Sequence, residues 1–192
     1  MNFLSLHCRG VGDDSKIRWI KELCKKHSIK FLALQETKVS NLSLFQIRSI
    51  WGDGDYDFAE SKPMGKAGGI ISIWDKRFFS KERIVCDEGF VAFFGSWIPS
   101  VTGCCVINVY APQDLTKKKN LWYVLFGLIN RWEGVVIIMG DFNAIRDASE
   151  KSVLLLTGRL LDLLTSSSST PIYSTFQLLE EKSRGATRMD LN

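Results

Sequence analysis

Three apolar runs in this chain stop in the same manner. FLALQE (31–36), VINVYAPQ (106–113) and VIIMGDFN (136–143) each pass from aliphatic residues straight into acids, amides or a phenol. A strand rich in aliphatic side chains belongs inside a fold. Ending several such strands on polar groups narrows the possibilities to layered α/β architectures, in which strand ends open onto loops that hold ligands.

The surrounding pattern agrees. NFLSLHC (2–8) is short and partly alternating, which predicts a strand broken by Gly10 and Gly12. Asp13, Asp14 or Ser15 can cap a helix over 16–27, where Ile17, Ile20, Leu23 and Cys24 share one face. A strand over 29–36 follows, and strand–helix–strand at this spacing predicts a parallel pair with a crossover. A second helix fits 41–50, KPMGKAGG is a loop, and 69–75 is a strand. Segments 83–87, 90–98 and 101–110, joined by short turns, predict an antiparallel stretch. Residues 114–132 suit a helix, and the non-alternating VVIIMG predicts a fully buried strand. Beyond it the texture changes. SVLLLTGRLLDLL could form a helix weakened by about 1 kcal/mol at Gly158, SSSST (166–170) has linker composition, and IYSTFQLL and TRMDLN resemble short strands.

The 192 residues suffice for one domain with a real core, and 45% apolar with 24% charged residues is an ordinary globular balance. The net charge of +4 suits an anionic partner without requiring one. No apolar stretch approaches a membrane span, and the first residues lack the pattern of a secretion signal. Five cysteines without a CxxC argue against a disulfide framework or zinc site and favour a reducing, intracellular compartment.

A carboxylate at Glu36, a phenol at Tyr110, an acid at Asp141 and an amide at Asn143 would, if they converge, suit a hard cation and a phosphate. Magnesium uses one or two carboxylates, and a second carboxylate can orient or deprotonate water. Each residue also has an ordinary reading. Glu36 can be a solvated loop acid, Asp141–Asn143 a polar turn, and Tyr110 a half-buried aromatic. Pro112 ends a strand. The run Lys117, Lys118, Lys119 reads as a solvated helix face, and His27 as a solvated helix end. GKAGG lacks the spacing of a phosphate loop.

The combination says more than its parts. LSLHCRG, LQETK, GGIISIW, NVYAP and GDFNA, in this order, resemble the endonuclease/exonuclease/phosphatase superfamily. They are most similar to the endonuclease domain opening the polyprotein of plant LINE-type (non-LTR) retrotransposons, which continues into a reverse transcriptase. The likeness is good over 1–147 and poor over 153–192. It implies a single α/β domain built as a four-layer sandwich, two packed mixed sheets between helices, with the last strand or strands missing here. It implies that Glu36 ligates magnesium, with manganese as a substitute. It places Tyr110 beside the scissile phosphate, Asp141 on the nucleophilic water and Asn143 on that aspartate. Lys38 and Gln113 would flank the nucleic-acid backbone. Asp190 would pair with the family's catalytic histidine, whose closing Ser-Asp-His motif is absent from this sequence.

One departure falls inside the site. The first strand carries His7 where the family usually has Asn. A histidine there can reach a phosphate, or it can crowd the cation. The resemblance implies weak, backbone-directed DNA binding by a monomer, in the nucleus if functional. An unpaired final sheet edge would promote aggregation. Three functions follow: an impaired magnesium-dependent DNA endonuclease, an inactive retroelement remnant, or a phosphatase acting on a small phosphorylated substrate or lipid.

Overall fold

A computed structural model of the chain describes residues 1–39, 42–62 and 68–143. Eight strands and three helices follow in the order β1 (Phe3–His7), α1 (Asp14–Lys26), β2 (Phe31–Gln35), α2 (Leu44–Trp51), β3 (Tyr56–Ser61), β4 (Ile70–Asp75), β5 (Phe79–Asp87), β6 (Phe90–Trp97), β7 (Thr102–Tyr110), α3 (Leu115–Ile129) and β8 (Val135–Asp141), with a short 3₁₀ turn at Ile98–Ser100. One mixed sheet has the order β1-β2-β4-β3 and the other β5-β6-β7-β8. β1 and β2 run parallel, as do β7 and β8; every other neighbouring pair is antiparallel.

Strand alternation sorts the side chains into three cores. Leu32 and Leu34 of β2 point to one face and join Ile17, Ile20 and Cys24 of α1 and Ile47 and Ile50 of α2. Cys105, Ile107 and Val109 of β7 point the other way, onto Leu121, Trp122, Leu125 and Ile129 of α3. Between the sheets, Phe31 and Trp74 meet Phe79, Phe93, Trp97 and Val106. The result is helix, sheet, sheet, helix: the four layers that the motifs imply. Aromatic packing fills the middle, with Phe31 stacked on Trp74 at 5.8 Å and edge-on to Phe93 at 5.4 Å.

The helices start where local chemistry allows. Asp13 caps α1 by accepting from the Ser15 amide at 2.8 Å. Ser43 and Gln46 form a reciprocal capping box, which fixes the start of α2 at Leu44, three residues past the boundary read from the sequence. Asp114 caps α3.

Three expectations need correction. The strand over VVIIMG is not fully buried: only Val136 is, and the rest of β8 is half-exposed. Among the described residues β8 pairs on one edge only, with β7. Lys118 is not solvated: it is 3% exposed, unlike Lys117 and Lys119. Residues 56–61, of which only 56–57 belong to the turn-rich run GDGDYD and the rest carry no assignment from sequence, form β3. The expected helix over SVLLLTGRLLDLL, the SSSST linker, the final strands and Asp190 lie outside the described residues. No helix among the described residues is long and apolar enough to cross a membrane.

Candidate active site at the ends of two parallel strand pairs

The two parallel pairs face one another across the sandwich, β1 and β2 against β7 and β8. Within each pair the C-terminal ends coincide. Register sets His7 beside Gln35 and Tyr110 beside Asp141. Beneath this end a buried polar network ties the sheets together. Gln35 Nε2 donates to Asn108 Oδ1 at 2.6 Å, and Asn108 Nδ2 donates to Ile71 O at 3.1 Å and Ser72 Oγ at 3.0 Å. Such groups are tolerated inside a fold only when paired, so they fix the relative placement of the strands above them.

The loops over the strand ends are held equally firmly. The β1–β2 ladder continues beyond both strands, with Gly10 N donating to Glu36 O at 2.7 Å and Val11 N to Thr37 O at 3.1 Å. Lys16 Nζ donates to the carbonyls of Cys8 and Gly10. Arg9, Glu36, Lys38 and Asn143 all have positive φ, between 45° and 57°. Left-handed backbone costs a side-chain-bearing residue about 1–2 kcal/mol, and such residues gather at functional sites. Gly140 answers a different constraint. At φ 144° a Cβ there would lie 1.9 Å from Val109 O, so only glycine brings β8 this close to β7.

His7 stands between the two carboxylates. Its Nδ1 lies 2.7 Å from Asp141 Oδ2, and its Nε2 bonds to Glu36 Oε2. The other Glu36 oxygen takes Lys38 Nζ at 2.8 Å. Asp141 Oδ1 accepts from the Asn143 amide at 2.9 Å, while the Asn143 side chain donates to Ala111 O at 2.6 Å. Lys118 reaches up from α3 and donates to Asn143 O at 2.9 Å. Tyr110 sets its ring edge-on to His7 at 5.9 Å. Gln113 lies exposed in the loop after β7.

Electrostatics follow from this geometry. The hydrogen bond to Asp141 raises the His7 pKa above its ordinary 6.5; burial opposes the shift and the bond to Glu36 adds to it. An imidazole facing two carboxylates needs a proton on each nitrogen to donate to both. Burial would raise Glu36, but hydrogen bonds from Lys38 and His7 outweigh it and hold the carboxyl below its ordinary value. Burial first, then the charges of Glu36 and Asp141, push the Tyr110 phenol upward, so it stays protonated.

The structure thus brings together Glu36, Tyr110, Asp141, Asn143, His7 and Lys38. Sequence reasoning missed Lys118, although the signal was present: it precedes Leu121, Trp122, Leu125 and Ile129 by three, four, seven and eleven residues, the spacing of one helical face. It also missed Gln35 and Asn108, for which single-sequence patterning offers no cue.

The sequence model of the Endonuclease/Exonuclease/phosphatase family matches residues 2–187. The chain belongs to that family. Solved structures share its fold at low identity. A 3′ phosphatase from Neisseria bound to a product DNA hairpin is 17% identical with a TM-score of 0.61, covering 83% of this chain and 70% of that one. TDP2 from D. rerio, complexed with a single-strand DNA product, is 18% identical with a TM-score of 0.56, covering 78% and 63%. An AP endonuclease from Archaeoglobus fulgidus is 18% identical with a TM-score of 0.53, covering 76% and 58%. This chain therefore spans less than two thirds of the last two. No curated protein matches it significantly.

Enzymes of the family are typically divalent-metal dependent. The arrangement around Glu36 and Asp141 does not fit such an ion as it stands. Two carboxylate oxygens sharing one octahedral magnesium would lie about 3 Å apart, each about 2.1 Å from the ion. Here an imidazole ring separates them, one nitrogen to each. The remaining oxygens are engaged by Lys38 and the Asn143 amide. Among the described residues no group of three or more His, Cys, Asp and Glu side chains is arranged to hold a metal ion.

Proposed function

We propose that this chain is a phosphodiester-directed, endonuclease-type domain of LINE-retrotransposon lineage whose hydrolytic activity is impaired. The observation that carries the reading is the convergence of Glu36, Tyr110, Asp141 and Asn143 at the ends of two facing strand pairs. Family membership supports the reaction class. Solved neighbours holding a DNA hairpin and a DNA strand support the substrate class. The LINE affiliation rests on the motif wording, LQETK with NVYAP and GDFNA.

In this reading Asp141 positions the attacking water, held in place by the Asn143 amide. Tyr110, protonated and half-buried, offers its hydroxyl to the phosphate. Lys38 and Gln113 stand on the side from which a backbone would approach, and Asp190 is assigned to the histidine partner role. Glu36 is the proposed ligand for magnesium or manganese, and His7 is set against it. Binding to DNA as a monomer is weak, electrostatic and salt-sensitive, as the charge of +4 suits. The nucleus is the compartment in which such a reaction has its substrate.

A second reading, an inactive remnant of the same lineage, is favoured by the His7 bridge itself. Nicking of supercoiled plasmid with magnesium or manganese separates the two. Slow nicking that disappears in Glu36→Ala supports the impaired enzyme. No nicking by the wild type at any enzyme concentration sinks it in favour of the remnant. Release of phosphate from small phosphoesters without nicking would favour the phosphatase alternative.

A further inference from the structure

We propose that His7 is a built-in occupant of the cation position. Its imidazole fills the gap between Glu36 and Asp141, holds the two carboxylates together in place of a divalent ion, and keeps such ions out until it moves. The inference rests on the reading that this corner is the phosphodiesterase site.

Three observations carry it. The first is chemical. Two acids brought to one end of a sandwich repel each other; Lys38 neutralises Glu36 through Oε1 at 2.8 Å, and the gap between the two carboxylates still favours a positive partner. A small cation can supply that charge, and so can a ring donating from both nitrogens. His7 Nδ1 lies 2.7 Å from Asp141 Oδ2 while Nε2 bonds to Glu36 Oε2. The second is steric. The ring takes up the space in which the two carboxylates would have to meet a common ion, and it presents a different nitrogen to each. No single point can therefore be ligated by all three groups, in line with the lack of a metal-holding cluster among the described residues.

The third is that the ring is held by more than its two partners. His7 closes β1 in register with Gln35, whose side chain is locked to Asn108 across the sandwich. Tyr110 covers it edge-on. Admitting an ion means breaking both carboxylate contacts and turning the side chain out toward solvent, to which 32% of it is already open. The ion-competent state is therefore a minor one. If it makes up about a tenth of the population, the apparent Kd for the ion rises about tenfold.

Asparagine at this position is shorter, carries no charge and leaves the gap open. His7→Asn should convert the corner into a cation site without touching Glu36, Asp141 or the scaffold beneath them. The full chain, as wild type, His7→Asn and His7→Asn with Glu36→Gln, is titrated with Mn2+ and followed by the electron spin resonance of the free ion. The expected result is binding about tenfold or more tighter in His7→Asn than in wild type, lost again when Glu36→Gln is added.

Wild-type binding equal to that of His7→Asn, and abolished by Glu36→Gln, would overturn the occupant role while leaving the site reading intact. Folded His7→Asn protein that binds no Mn2+ would overturn both. A wild-type measurement covers the case in which His7→Asn does not fold. The chain has two histidines, so the His7 imidazole proton resonance is assigned by comparison with a His27→Gln variant. The occupant role requires that line to stay sharp at Mn2+ concentrations near the protein's own. Selective broadening of His7 there would show the ion already beside it, and would end the proposal.

Discussion

The first sheet presents a paired carboxylate at each end, Asp75 at one and Glu36 at the other, and the two places are built differently. At one end Asp75, 4% exposed, closes β4. Arg77, two residues on, donates to it from Nε at 2.9 Å, Nη2 at 2.7 Å and its backbone amide at 3.1 Å, while Lys30 Nζ stands 3.6 Å away. One carboxylate meets two permanent cations, and Lys30 also lies over the Phe78 ring at 4.2 Å. At the other end Glu36 and Asp141, from different sheets, meet the two nitrogens of His7, and Lys38 Nζ holds the second Glu36 oxygen at 2.8 Å. Asp75 is satisfied almost entirely by its own turn. The Glu36–Asp141 pair exists only because the whole fold delivers it, on left-handed backbone at Glu36, Lys38 and Asn143. A locally closed ion pair is structural. Two acids held together across a sandwich, with a titratable group between them, make a candidate site.

The strongest way to break this contrast is to remove what carries the long-range placement. Asn108 is fully buried and joins Gln35 to Ile71 and Ser72. Asn108→Ala strands several buried polar partners and leaves a small cavity, and should cost about 2–4 kcal/mol in urea unfolding. It should also loosen the His7–Glu36–Asp141 bridge, since Gln35 pairs in register with His7 and precedes Glu36. Asp75→Asn is the counterpart at the far end. It weakens charged hydrogen bonds and should cost about 1–3 kcal/mol, yet leave Mn2+ affinity in a His7→Asn background unchanged. A cation response to Asp75→Asn would mean that the two ends are coupled.

Lys118→Met sharpens the comparison inside the site. It keeps the buried aliphatic stem and deletes the donor to Asn143 O. The loss should be about 1–2 kcal/mol, with hydrogen exchange of the Asn143 amide speeding up before that of the β7–β8 ladder. Equal exchange in both proteins would show that the turn does not depend on Lys118.

How much of this was legible follows from which forces act locally. Most elements could be read from apolar periodicity and capping residues, because these operate within a few turns of chain; the four layers came only from the resemblance that the motifs carry. β3 was hidden because its first two residues close the turn-rich run GDGDYD (52–57), although Tyr56 and Phe58 alternate as a strand should. β8 read as fully buried because five aliphatic or methionine side chains in a row do not reveal whether a strand lies in the middle or at the side of its sheet. The motif residues could be named, and the structure gathers Glu36, Tyr110, Asp141, Asn143, His7 and Lys38, while Gln113 stays exposed in its loop. What His7 does could not be named. Its two readings differ only in where the ring points, and the answer comes from Glu36, 29 residues away, and Asp141, on the other sheet.

The smallest effect concerns pH, and the two ends should respond with opposite sign. Hydrogen bonding to Arg77 holds Asp75 below its ordinary 3.8 in the folded protein. Its contribution is complete above that value and is lost as the pH falls through the lower folded pKa. His7 is raised, first by Asp141, above its ordinary 6.5. Its contribution is complete below 6.5, where both folded and unfolded chains carry the proton. Between 6.5 and the raised folded value the unfolded chain has released that proton while the fold still binds it, so stability falls with rising pH. Above the folded pKa the contribution is gone. Partly solvated ion pairs of this kind contribute a few tenths to about 1 kcal/mol. Urea unfolding from about pH 5 to about pH 9 should therefore show a decline in the wild type that His7→Asn lacks and Asp75→Asn retains. Asp75→Asn should instead flatten the acid limb below about pH 4. A decline shared equally by wild type and His7→Asn would remove His7 as the charge that holds the two carboxylates together.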